Sequence, residues 1–345
     1  MSAPAQPGPR VRLVRLEQPG GPEVLDLVQV PIPEPGPGQA RVVAHAIGVG
    51  KPDMLVRRGI YKWMPPLPAT PGNELAGVVD AVGPGVQAVA VGDRVLVSAR
   101  ELPARGGCYT ECLCVPAEAL YPLPGSVSMV DAVSAPNYQM AAAMLFDAGG
   151  APPASVLVHG AAGGVATAVL QLAQARGILG IGTTSTAAKQ AAVRALGITR
   201  VIDRSAGNLH DQVRDMTGGR GVDLVLDHVG GPGFVENLDL LAPRGTLLSF
   251  NVLAGVPQDN LVDALRARLD RSLAVRCYSI HTLDADRSRR RHLMEMVLAL
   301  MGQGSLKPPQ VTSFALEDVR QAHEALDAGT TPGKIVLLPE DCPGR

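Results

Sequence analysis

Residues 155–177 read SVLVHGAAGGVATAVLQLAQARG. Val156, Leu157 and Val158 form a short apolar run with a β-branched bias, the composition of a buried strand, and His159 closes it. Gly160, Gly163 and Gly164 then crowd into one turn, and from 165 to 175 the apolar positions recur at helical spacing without a proline. Strand, glycine turn and helix in that order are the parts of a dinucleotide-binding βαβ unit. The glycines let the backbone approach a pyrophosphate, and the first N–H groups of the helix, with its dipole, favour the negative charge. Ala162, Gly163, Gly164 and Val165 are the residues placed to face it. The turn keeps only the middle glycine of the G-x-G-x-x-G pattern, with Ala161 and Ala166 at the outer places. The same shape also serves as a tight strand-to-helix connection in other α/β proteins.

The pattern continues outward from this turn. Strands are expected at 178–184, 200–202, 222–226 and 246–250, and helices at 186–196, Leu209–Met216 and 234–241. Repeated alternation of strand and helix means a parallel sheet covered on both faces, a doubly wound α/β fold. Residues 1–128 do not alternate in this way. Strands at 11–16, 24–30, 41–49, 77–82, 94–97 and 107–115 are separated by Gly- and Pro-rich turns, which reads as a mostly antiparallel β region. A helix at 131–146 leads into the parallel sheet, and 274–280 is its last strand. Helices at 287–301 and 316–328 and a strand Lys334–Leu338 are expected to return to the first region. The domains would then be 1–128 with 278–345, and 129–277.

A chain of 345 residues is long enough for two domains and a large core. Its net charge of −1 and lack of any long basic block argue against a nucleic-acid partner. The Arg287 to Arg291 cluster reads as the solvated face of a helix. No segment approaches a membrane-spanning run, and the start MSAPAQPGPR lacks the apolar core of a signal peptide. Five cysteines without framework spacing fit a reducing compartment, and the expected location is cytoplasmic.

Seven stretches carry a resemblance: PGNELAGVV at 71–79, VG at 82–83, VGDRV at 91–95, VHGAAGGV at 158–165, TGGRGVD at 217–223, DHVGG at 227–231 and TPGK at 331–334. In this order they resemble the medium-chain dehydrogenase/reductase superfamily, and in detail its zinc-free quinone oxidoreductase (zeta-crystallin-like) branch. The resemblance implies a GroES-like catalytic domain joined to a Rossmann domain that binds a nicotinamide cofactor. It also implies a homodimer paired through the sheet edge at 273–278.

Zinc-dependent members use a His-Glu pair and cysteine ligands. Here Asn73-Glu74 stands in the pair's place, and no cysteine lies near Gly50. If Cys108, Cys112 and Cys114 share one strand face, the first two are roughly 13 Å apart. A zinc ion holding thiolates at about 2.3 Å cannot span that gap. No metal is expected. For the cofactor, NAD-preferring domains place an acid at the end of the second strand. This chain has Thr184 and Ser185 there, with Lys189 one turn later and Arg204 past the third strand. Hydroxyls and cations suit a 2′-phosphate, so NADPH is expected.

The resemblance places further residues at the site. Phe250, Asn251 and Val252 correspond to the segment whose backbone holds the carboxamide. Asn137, followed by Tyr138, corresponds to a pair near the nicotinamide ribose, and Lys334 to a lysine near the cofactor. Tyr61 matches a pocket-mouth tyrosine that could donate a proton, or else a rim residue without a catalytic role. Lys51 could polarise a carbonyl, or simply cap the turn before a helix starting at Pro52-Asp53. Gly50, Leu55 and Met140 replace polar residues of the family and make the pocket more apolar. The expected activity is hydride transfer from NADPH to a quinone or conjugated carbonyl. Alternatives are an enoyl reductase acting on an enone or 2-enoyl thioester, with Arg57, Arg58 and Lys62 as a basic entrance, and a cofactor-binding protein without turnover.

Overall fold

The computed structural model describes residues 8–148, 151–329, 331 and 333–340. Pro332 of the TPGK stretch and residues 1–7 of the leading segment lie outside them. In chain order the strands are β1 (Arg10–Leu16), β2 (Leu25–Pro31), β3 (Gln39–Val49), β4 (Glu74–Val82), β5 (Arg94–Ser98), β6 (Cys112–Pro116), β7 (Tyr121–Pro122), β8 (Ser155–Val158), β9 (Leu179–Thr184), β10 (Val201–Asp203), β11 (Val222–Asp227), β12 (Leu241–Ser249), β13 (Ala274–Cys277), β14 (Val311–Ala315) and β15 (Lys334–Leu338). The α-helices are α1 (Lys51–Arg57), α2 (Met129–Ala132), α3 (Ala135–Phe146), α4 (Gly164–Ala175), α5 (Ala187–Ala195), α6 (Leu209–Met216), α7 (Leu261–Arg266), α8 (Arg287–Gly302) and α9 (Val319–Ala328).

These elements form two compact units, one of the described residues through Pro136 with those from Gln310 onward, the other of Asn137–Pro309. Helix α8 thus belongs to the second unit rather than returning to the first, and there Gln139 Nε2 donates to the Arg290 carbonyl at 2.9 Å.

In the first unit the main sheet runs β14-β15-β3-β4-β5-β7, with β6 also pairing β3, and a separate ribbon joins β1 to β2. All pairs are antiparallel except β14 with β15. The long run QARVVAHAIGV of β3 is covered along almost its whole length because three strands pair with it. The expected strand 107–115 begins only at Cys112. Residues before it follow β1 instead, with Val14 N–H donating to the Tyr109 carbonyl and Glu111 N–H to that of Arg12. Consequently the three cysteines do not share a face. Cys108 packs in the main core with Tyr109, whereas Cys112 packs with Val11 and Val43 in a separate small cluster. The expected helix 131–146 is two helices, because Pro136 has no N–H to continue the ladder and its ring obstructs the preceding turn.

The second unit is a parallel sheet in the order β10-β9-β8-β11-β12-β13. Numbered within the unit this is 3-2-1-4-5-6, the doubly wound order, with its switch point between β8 and β11. Val156, Leu157 and Val158 of β8 are fully buried, each stabilising the fold by roughly 1.5–3 kcal/mol. Helix α4 lies close on β9 because Gly182 has no side chain: a Cβ there would stand 2.7 Å from Ala161 Cβ and 2.8 Å from Leu170 Cδ1. The segment expected as a helix at 234–241 is a 3-10 turn, Phe234–Leu240, and β12 starts at once at Leu241. No helix among the described residues is long and apolar enough to cross a membrane.

Candidate functional site

At the switch point β8 delivers His159 and the glycine turn. Gly160 takes φ of +64°, a backbone state that favours glycine, and a Cβ there would meet the His228 ring at 2.7 Å. Gly163 N–H donates to the Gly160 carbonyl at 2.8 Å, which folds the turn, and Thr167 N–H begins the helix by donating to the Gly163 carbonyl. No side chain caps α4, so the N–H groups of its first turn keep no intrahelical acceptor. Helix α5, in contrast, is capped by the Thr186 hydroxyl, which accepts from Lys189 N–H. Ala162, Gly163, Gly164 and Val165 are all at least partly exposed between buried neighbours. Asn137 stands against the turn, since a Cβ on Gly164 would lie 2.6 Å from its Nδ2.

The end of β9 carries a second indication of a ligand. Thr184 is 2% exposed and its Oγ1 has no hydrogen-bond partner. Ser185 and Lys189 beyond it are exposed, as is Arg204 after β10. Thr184 is in register with Asp203 of β10, but the Asp203 carboxylate is committed to Ser205, accepting from its N–H and hydroxyl. Those bonds hold its pKa below the usual value. A free donor row at a helix start, an unpartnered buried hydroxyl and two exposed cations fit a phosphorylated dinucleotide.

After β12, Phe250, Asn251 and Val252 form a loop joined to the 227–231 turn. Phe250 N–H donates to the Asp227 carbonyl at 2.9 Å, Leu253 N–H to that of His228 and Ala254 N–H to that of Val229. The His228 and Phe250 rings stand 5.6 Å apart. Tyr138, expected beside a ribose, is instead buried, with its hydroxyl donating to Gln171 Oε1 and to the Lys307 carbonyl. It fastens α3 to α4.

Sequence reasoning missed a chain of polar side chains behind the turn. Thr183 bonds His159 Nδ1 at 3.1 Å, His159 Nε2 bonds Asn237 Oδ1 at 2.7 Å, and Asn237 Nδ2 donates to Asp227 Oδ2 at 2.9 Å. Burial lowers the His159 pKa, so the ring is neutral. The only signal in the sequence was a histidine at a strand end.

In the first unit, Lys334 is buried and ion-paired with Glu74, so its ammonium is already engaged. Asn73 Nδ2 donates to Asp53 Oδ1 at 2.7 Å, and Gly50 N–H to Asp53 Oδ2 at 2.8 Å. Burial, with the Glu74 charge second, raises the Asp53 carboxyl to about 7. The donors around the Asn73-Glu74 pair are therefore bonded to one another and do not fit the open ligand set of a zinc site. Among the described residues no group of three His, Cys, Asp or Glu could hold a metal ion. Lys51 begins α1 and is exposed, its pKa lowered by partial desolvation, and its ammonium has no partner among the described residues. Tyr61 packs partly on the core, 5.7 Å from Trp63, and Lys62 Nζ lies over the Trp63 ring. Arg57 is 1% exposed and bound to Asp327, which also holds Arg58.

Comparison with known proteins agrees with this layout. Residues 36–125 match the alcohol dehydrogenase GroES-like domain, and 196–337 a family described as zinc-binding dehydrogenase. The chain is 31% identical to human quinone oxidoreductase over 338 residues, covering 95% of this chain and 98% of that protein. It is 33% identical to the human synaptic vesicle membrane protein VAT-1 homolog, covering 89% of this chain and 80% of that protein. The structure of Escherichia coli quinone oxidoreductase complexed with NADPH superposes with a TM-score of 0.83 at 29% identity, covering 95% of this chain and 100% of that one. On its sequence, its two folds and the glycine turn at the switch point, the chain is an oxidoreductase of the medium-chain dehydrogenase/reductase superfamily, in its quinone oxidoreductase branch.

Proposed function

We propose that the chain is an NADPH-dependent reductase that passes hydride to a quinone or a related conjugated carbonyl without zinc. The observation that carries the cofactor choice is the end of β9, where the Thr184 hydroxyl is buried without a partner, Lys189 and Arg204 are exposed on the segments that follow β9 and β10, and the nearest acid, Asp203, is turned to Ser205. The bound nicotinamide would supply the hydride. The protein's share is to orient it, exclude water and stabilise the oxyanion that develops on the acceptor. Ala162 to Val165 face the pyrophosphate, the backbone of Phe250 to Val252 holds the carboxamide, and Asn137 supports the ribose side. Tyr61 donates to the acceptor oxygen, and the Lys51 ammonium polarises a carbonyl. Lys334 serves as the partner of Glu74.

The engagement of the basic side chains favours a quinone over a carrier-bound enoyl thioester. Arg57 is buried and shares the single Asp327 carboxylate with Arg58, and Lys62 lies over Trp63, so Arg57 adds no charge to a surface entrance for a long anionic carrier. No disulfide joins the cysteines among the described residues, which is consistent with a reducing cytoplasmic setting. The open edge of β13 is suited to pairing in a homodimer. The direct test is NADPH oxidation by the purified protein with an ortho-quinone and an enone side by side. Faster turnover of the quinone is expected. Faster turnover of the enone would make it an enoyl reductase, and binding of NADPH with neither consumed would overturn the reductase reading for both acceptors.

A further inference from the structure

We propose that Asn237, with His159 and Asp227, is a positioning residue that locks the glycine turn and the 250–255 loop into one register, so that both ends of a bound dinucleotide are set together. The inference rests on the cofactor site described above. Asn237 belongs to the 3-10 turn between β11 and β12, and its two amide atoms work in opposite directions. Its Nδ2 donates to the Asp227 carboxylate, so its Oδ1 must face His159 as an acceptor. His159 Nε2 is then the donor, and Nδ1 accepts from the Thr183 hydroxyl. Reversing any member would set two acceptors, or two donors, against each other.

The ends of this chain reach both loops. His159 is the residue before Gly160, and Thr183 offers its carbonyl to Ala161 N–H at 2.8 Å, so one end grips the glycine turn from two sides. At the other end Asp227 Oδ1 accepts from Val229 N–H at 2.6 Å and from Gly230 N–H at 2.8 Å, which shapes the 227–231 turn. The carbonyls of His228 and Val229 in that turn hold the amides of Leu253 and Ala254, and Gly231 N–H donates to the Gly255 carbonyl. The His228 ring adds a second link, lying over Gly160 and against Phe250.

Four polar side chains at 3%, 0%, 8% and 2% exposure (His159, Thr183, Asn237, Asp227) are an unusual use of buried space. Apolar residues of the same shape would support the fold as well. What they would not supply is direction, since each bond here permits a single orientation of its neighbour.

Asn237→Leu keeps the approximate volume and removes both bonds. In the cofactor-free protein, amide hydrogen exchange of peptides covering 160–164 and 250–255 should rise together by about tenfold, the loss of one buried hydrogen bond, with α8 unchanged. A rise in one loop alone, or in neither, would overturn the inference. Should this variant fail to fold, Thr183→Val removes only the hydroxyl and should raise exchange in the same two peptides by a smaller factor. A second measurement compares NADPH with 2′-phospho-ADP-ribose, which lacks the nicotinamide. Asn237→Leu should weaken NADPH about tenfold and the fragment, which meets the loosened glycine turn but not the 250–255 loop, by a smaller factor. Equal losses would reduce Asn237 to a support of the fold. If the unaltered protein bound neither nucleotide, the cofactor reading would fail, and the exchange result would still decide this one.

Discussion

In the proposed function, Lys189 and Arg204 decide between two cofactors that differ by one phosphate. Replacing both, Lys189→Ala with Arg204→Ala, should raise KM for NADPH by about ten- to a hundredfold, since a hydrogen bond to a charged group contributes roughly 1.5–3 kcal/mol. KM for NADH should change little, and equal changes for the two would sink the phosphate assignment. Tyr61→Phe removes a single oxygen. If the hydroxyl donates, turnover should fall by at least about a hundredfold, and an unchanged rate would leave Tyr61 as part of the rim. Asp53 makes a prediction about stability. Its carboxyl, raised to about 7, is bonded by Asn73 and the Gly50 N–H and faces Glu74 of β4, Lys334 of β15 and, farther off, Cys108 and Tyr109. The folded chain therefore keeps a proton that an unfolded chain releases near pH 4. The contribution of that proton is complete below the unfolded value and is lost as pH rises through about 7. Thermal unfolding at pH 5 and pH 8 should show a larger fall for the unaltered protein than for Asp53→Asn, which cannot ionise.

Among the elements, the fit of α4 on β9 is the most exposed to a single change. Gly182→Ala would set a methyl into Ala161 and Leu170 and should cost about 1–3 kcal/mol, read as a lower midpoint of thermal unfolding. The parallel strands were legible in the sequence because each is a short apolar run bounded by glycines, and β8, β9 and β11 stand within a residue or two of where the pattern put them. The turn and its flanking residues were legible for the same reason. Strand β14 was not, because Val311–Ala315 is only half covered and has no alternation to reveal it. The link from His159 to Asn237 was beyond reach as well: 78 residues separate them, and neither has a local pattern. Lys334 shows the opposite limit. Its place in a motif was readable, whereas its engagement with Glu74 depends on β15 and β4 both flanking β3.

For the whole molecule, β13 lies at the edge of the six-stranded sheet with Ala274, Arg276 and Cys277 exposed. Pairing of that edge with a second copy predicts a species of twice 35.8 kDa in sedimentation. A single species of 35.8 kDa at all concentrations would refute the dimer. The threading of the two units has a different consequence, for synthesis. Asn137–Pro309 is one unbroken stretch and can fold as soon as it leaves the ribosome. The unit that emerges first cannot finish, because β15 is the strand that pairs the outer part of β3 and carries β14 beyond it. Until Lys334–Leu338 has been translated, that part of β3 is an unpaired edge bearing Ile47 and Val49. A nascent chain halted after Pro309 should thus be recognised by chaperones through its earliest-made domain and not its latest.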